Sequence, residues 1–244
     1  MVGKQLTSAL QMPSVSTITK NIWQQLLANR SVIWLNCLTL GLFLVLLIHA
    51  KVWGSPQEVE FLFHKADPSK EPHLGFLTLV SNVLWGLPVA YCAFSLGLMR
   101  QIHPQGRLDR FLLLSATGIS IILIDEVYRI TISLVTWFGV SKVLIASLYG
   151  VAALGYIFSF RKRIYTTPYA LLLAAISLVV ISRVVDLLKI AAPGAPARML
   201  LEDGTKLLGL VNLALYWWLV CQQEVLRSLH RYRQPAPTEA RQHL

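Results

Sequence analysis

Charge is what this chain has least of. Only 14% of its 244 residues are charged, whereas a soluble domain carries about 25%. Hydrophobic residues make up 55% and the mean hydropathy is +0.57. Too few polar side chains remain to cover a water-soluble globule, and the composition belongs to the membrane class. Cysteine is scarce as well. Cys37, Cys92 and Cys221 all fall inside apolar runs, with no C-x-x-C, which argues against a disulfide framework or a thiolate metal site. Zinc-finger spacing, a helix-turn-helix cue and an aromatic RNA-binding motif are all missing. The net charge of +10 is therefore not read as the mark of a nucleic-acid partner. Nucleotide-binding motifs are missing too, as are H-E-x-x-H, Ser-His and Cys-His arrangements. The chain is expected to hold no cofactor and no metal, and the balance leans away from an enzyme. It shows no repeat of 20–50 residues.

What it does have is six long apolar segments, 31–53, 75–99, 111–138, 141–160, 169–191 and 200–223. Each reaches the roughly 20 residues that a helix needs to cross a bilayer. The expected fold is an all-α, polytopic transmembrane helix bundle of six spans. The first run is too long for the apolar core of a cleavable signal, and no small-x-small site follows it. Residues 1–30 read as an N-terminal segment, with a short interfacial helix over 15–28 where Ile18, Ile22 and Leu26 share a face and Trp23 suits the headgroup level. Residues 31–224 form the membrane domain, and 225–244 a basic, disordered tail.

Lys and Arg set the expected orientation. Thirteen fall on one side, in the N-terminal segment, the loop after the second span, Arg161-Lys162-Arg163 and the tail; six (Lys51, Lys65, Lys70, Lys142, Lys189, Arg198) fall on the other. The bias alternates loop by loop, which places both termini in the cytoplasm. The loop at 54–74 carries Glu58, Glu60, His64, Asp67, Glu71 and His73; it reads as a solvated polar loop in preference to a metal site.

Eight charges remain inside the apolar segments: Asp125, Glu126, Arg129, Arg183, Asp186, Glu202, Asp203 and Lys206. A charge at a helix centre costs about 2.5–3.5 kcal/mol on insertion scales. Left in lipid, the eight together would outweigh a protein's usual stability of about 5–15 kcal/mol. They must pair, face the interior or meet water. The spacing predicts pairs one turn apart: Asp125 and Glu126 with Arg129, Arg183 with Asp186, and Glu202 and Asp203 with Lys206. On a continuous third span, Ser115, Gly118, Asp125, Arg129 and Ser133 would form the buried stripe. Asp186 and Asp203 each stand seven residues from a proline of the turn PGAPAR, about 10 Å from it along a helix. Arg129 would lie about 15 Å below Gly139. The eight are therefore expected to converge between the third, fifth and sixth spans, with Asn82 and His49 as contributors within reach. Five acids against three bases leave a formal excess of two negative charges.

The acid-rich third span, together with E-[ED]-G-x-K-L-L-G on the last span, resembles a group of uncharacterised six-span bacterial integral membrane proteins. That resemblance implies a fold but no activity. Locally, Glu202-Asp203-Gly204-Thr205-Lys206 is similar to the E-E-x-x-K motif of PrsW-type intramembrane proteases. Asp203 stands in place of the second Glu, no intramembrane His pairs with the motif, and no room follows for that family's later motifs. Three functions stay open. One is small-solute or ion handling, with a proton or cation as the coupled species. The second is a carboxylate-based intramembrane hydrolase. The third is a non-catalytic membrane subunit or assembly factor whose charges fix packing or dock a membrane protein partner.

Overall fold

A computed structural model describes residues 30–52, 75–102, 109–188 and 200–233. The expected interfacial helix at 15–28, the polar loop at 54–74, the PGAPAR turn and the tail beyond 233 lie outside the described residues. The rest is helical: α1 Arg30–Val52, α2 Phe76–Ile102, α3 Arg110–Tyr128, α4 Ile130–Phe138, α5 Lys142–Ile164, α6 Tyr169–Leu188 and α7 Thr205–Arg233. A π-helical turn, Leu200–Gly204, leads into α7. Six of these helices are long and apolar enough to cross a membrane. The protein is an all-α, multi-pass integral membrane protein, and its environment is the lipid bilayer. In α7 the helix runs on to Arg233, well past residue 224.

Local chemistry sets the helix starts. The Asp109 carboxylate accepts hydrogen bonds from the Phe111 and Leu112 amides at 3.0 and 3.5 Å and caps α3. Ser141 Oγ accepts from the Leu144 amide at 3.2 Å and caps α5. Each meets backbone donors that a helix cannot satisfy itself. Arg161, Lys162 and Arg163 fill the last turn of α5, where cations favour the negative end of the helix dipole.

The last span is the hub. It packs along α6 and α2, and more narrowly on α1, while α2 also packs on α3. Gly209 explains the close fit of α6 on α7. A Cβ at that position would lie 3.0 Å from Val179 Cγ2 and 3.1 Å from the Ala175 carbonyl oxygen. The core gathers Trp85, Cys92, Phe111, Leu112, Leu210, Tyr216, Trp217 and Val220. Phe111 anchors an aromatic group, 6.0 Å from Tyr156, 5.4 Å from Phe160 and 5.5 Å from Trp217 between ring centres. Ser115 donates to the Phe111 carbonyl and meets the Tyr156 hydroxyl. By contrast, Leu148, Val151, Leu154 and Phe158 of α5 are exposed. Such a face would be a liability in water; a helix at the edge of a membrane bundle turns it to lipid.

Helix α1 touches the bundle along a narrow line. Its Asn36 and the Asn212 of α7 exchange reciprocal amide hydrogen bonds of 3.1 and 2.8 Å. Each amide also reaches back to its own helix, Asn36 to the Val32 carbonyl and Asn212 to that of Leu208. In hydrocarbon, such paired amides are worth about 0.6–2 kcal/mol.

The third segment departs from the expected single helix. The run 111–138 breaks at Arg129, which adopts the left-handed conformation with φ 52° and ψ 40°. It is the one non-glycine residue with positive φ among the described residues. The buried face of α3 is Phe111, Leu112, Ser115 and Ile119. Gly118, Arg129 and Ser133 of the expected stripe are exposed. The helical period that grouped them does not carry across the break.

Candidate functional site

The break at Arg129 is built by Asp125. Its carboxylate accepts from the Thr131 amide and from the Thr131 hydroxyl, each at 2.6 Å, and from the Tyr149 hydroxyl at 3.2 Å. Thr131 sits in the first turn of α4, so Asp125 supplies the N-terminal cap that Arg129 does not. The Arg129 amide in turn donates to the Asp125 carbonyl and closes α3. The expected pairing of Arg129 with Asp125 and Glu126 is therefore overturned. It assumed an unbroken helix, and a left-handed residue swings its side chain off the i, i+4 line. The Arg129 side chain is exposed and makes no ion pair among the described residues. Left-handed backbone costs a non-glycine residue about 1–2 kcal/mol. Arg129→Gly should hence leave thermal stability in detergent unchanged or raise it by up to about 1 kcal/mol. A drop of that size or more would restore Arg129 as an electrostatic partner.

Glu126 instead draws in the two other helices. Its carboxylate pairs with Lys206 Nζ of α7 and, at 3.4 Å, with Arg183 Nη2 of α6. One carboxylate thus joins three spans. The Lys206 side chain keeps 16% exposure, Glu126 23% and Arg183 55%, so the Lys206 pair is the enclosed one. Asp203 is half-buried beside this group, near enough to couple electrostatically to Lys206, Glu202, Glu126 and Arg183. Among the described residues, neither Asp203 nor Asp186 makes an ion pair or hydrogen bond through its carboxylate. The expected Arg183–Asp186 and Asp203–Lys206 pairs are replaced by bonds to α3. A cross-helix carboxylate lets two bases share one acid, which one-turn neighbours on a single helix cannot do.

Residue 129 ends α3, whose 19 residues already span about 28 Å. Asp125 and Glu126 thus stand in the last turn of α3, not partway along a longer helix. The π-helical turn carrying Glu202 and Asp203 packs against α6 and α1. Its extra residue per turn leaves carbonyls unmet along the helix, and Thr205 Oγ1 accordingly donates to the Leu201 carbonyl at 2.5 Å and to that of Glu202 at 3.2 Å. Gly204 abuts Phe43 of α1, whose ring would stand 3.5 Å from an added Cβ. His49 lies six residues further along α1. Asn82, also named as a contributor, has no hydrogen bond to the cluster among the described residues.

A second cluster, at the opposite end, was not picked out from the sequence. Arg163 forms a two-pronged pair with Asp109, one bond at 2.9 Å, and reaches Glu224 at 3.0 Å. Glu224 also pairs with Arg227 at 2.9 Å. The Arg163 guanidinium lies 5.1 Å over the Phe111 ring, an additional cation–π contact. Arg163 had been counted only as one of the orienting basic residues. An Asp just before an apolar run is a helix-start signal, and it would have found Asp109. Nothing in the spacing would have tied it to residue 224. Among the described residues, no group of three or more His, Cys, Asp and Glu could hold a metal ion.

Residues 32–220 match the family model described as a domain of unknown function, DUF8692, and the chain belongs to that family. No curated protein and no solved structure matches it.

Proposed function

We propose that this member of the DUF8692 family handles a small cation or proton at the Glu126–Asp203–Lys206 group, with both termini in the cytoplasm of a bacterial inner membrane. The observation that carries this reading is the partly enclosed Asp203 carboxylate, without an ion pair among the described residues, flanked by two helix interruptions. Acidic residues in membrane spans are expensive, and those that persist mark ion or proton pathways. Interrupted helices frame such sites in transporters, because the unwound backbone supplies ligands. The acids at this end, Asp125, Glu126, Asp186, Glu202 and Asp203, outnumber Arg129, Arg183 and Lys206 by two, so a bound cation or proton would balance them. The asymmetry of Lys and Arg supports the orientation.

One observation favours a packing or assembly role instead: Glu126 is met by two bases and ties three helices together. The two readings differ at Asp203. In proteoliposomes with a trapped pH-sensitive or Na⁺-sensitive dye and an imposed membrane potential, the protein should give flux above protein-free vesicles. Asp203→Asn should abolish that flux with little change in thermal stability. No flux for either ion, or full flux in Asp203→Asn, would leave the packing role as the better account.

A further inference from the structure

Among the described residues, three buried side-chain polar atoms have no hydrogen-bond partner: Ser81 Oγ, Trp85 Nε1 and Trp217 Nε1. Their residues keep 8%, 5% and 3% exposure. Ser81 and Trp85 share the buried face of α2 with Pro88 and Cys92, and Trp217 lies on α7 in the same core. An orphan N–H or O–H in a membrane interior costs several kcal/mol, since no solvent reaches it. Trp85 and Trp217 belong to one core cluster, and Ser81 stands about one turn before Trp85 on the buried face of α2. Pro88 adds an acceptor: lacking an N–H, it leaves the Leu84 carbonyl one turn earlier without its helical donor.

The register brings these groups together. The second and sixth spans run in the same direction, and Cys92 Sγ lies 3.9 Å from Cys221 Sγ. With 92 opposite 221, Ser81 stands level with residue 210, Trp85 with 214 and Pro88 with 217. The four groups therefore occupy about 10 Å of the helix axis. Lys206, with its partner Glu126, lies about 6 Å beyond one end of that stretch, and Glu224 about 10 Å beyond the other.

We propose that the α2–α7 seam at Pro88 is a binding site for internal water, held by Ser81, the Leu84 carbonyl and the two indole N–H groups. A buried water needs two to four polar partners, and this set offers donors, an acceptor and a hydroxyl that can act as either.

Hydroxyl-radical footprinting of the full chain in lipid nanodiscs tests the site without reference to transport. Radiolysis activates water, so side chains beside bound water oxidise and lipid-facing ones do not. Trp218, 51% exposed at the same depth but toward lipid, is the internal control. Trp85 and Trp217 should be oxidised several-fold faster than Trp218. Pro88→Ala, which restores the amide and occupies the Leu84 carbonyl, should slow labelling of Trp85. Trp85 and Trp217 labelling no faster than Trp218 would overturn the water site, whatever the flux assay gives. Labelling without flux would keep the water site and count against the proposed function alone. Should Pro88→Ala fail to fold, Ser81→Ala provides the same comparison.

Discussion

Lys206→Met should destabilise the protein by about 3–5 kcal/mol, the usual result of removing one partner from an enclosed ion pair. The substitution keeps the apolar stem and deletes the charge, so lost packing contributes little. Glu126 would then be left with Arg183 alone, at 3.4 Å and 55% exposed. An exposed pair of that kind is worth only about 0–1 kcal/mol. Arg183→Met should accordingly cost no more than about 1 kcal/mol. The double variant Glu126→Gln/Lys206→Met should be more stable than Lys206→Met, because no charge is left stranded. Equilibrium unfolding in mixed micelles measures these three and the single Glu126→Gln against the wild type. A Lys206→Met protein as stable as the wild type would show that Glu126 does not depend on Lys206. A double variant as unstable as the sum of its singles would show that the two are not coupled.

Gly209→Val is the second large effect. The added atoms would enter a space where a Cβ alone already lies 3.0 Å from Val179 Cγ2, 3.1 Å from the Ala175 carbonyl oxygen and 3.2 Å from Leu178 Cβ. The Val179 methyl can rotate away, but a backbone carbonyl cannot, so α6 must move off α7. Overpacking of a close-packed site costs about 1–3 kcal/mol, and the branched side chain should reach the top of that range. Gly150 on α5 makes the control, since a Cβ there meets nothing within 4 Å. Gly150→Ala should be neutral or gain up to about 1 kcal/mol from helix propensity. Thermal unfolding in the same detergent compares them. Equal midpoints for Gly209→Val and Gly150→Ala would mean that the α6–α7 contact is looser than its geometry implies. Because α7 also carries Lys206 and Asn212, a shift there should loosen both the charge cluster and the hold on α1.

The number and placement of the spans could be read from the sequence because they rest on a local quantity, apolar length against bilayer thickness. The same local reasoning singled out Glu126, Arg183, Asp203 and Lys206, since a charge inside an apolar run stands out wherever the chain folds. Their partners could not be read that way. Helical spacing proposes neighbours within one helix, yet Glu126 is joined to residues 57 and 80 positions away. The break at Arg129 was invisible for a related reason. Neither Pro nor Gly marks it, and the conformation is held by Asp125 capping Thr131 across the turn, a contact that exists only once the turn has formed. Asn36 and Asn212, 176 residues apart, and Arg163 with Asp109 and Glu224, likewise become partners only through packing. Hydrophobic length by itself determined that the chain crosses the membrane and where. Only the tertiary structure decided which polar groups meet, because helix packing sets the distance between charges on different spans, and sequence separation says little about that distance.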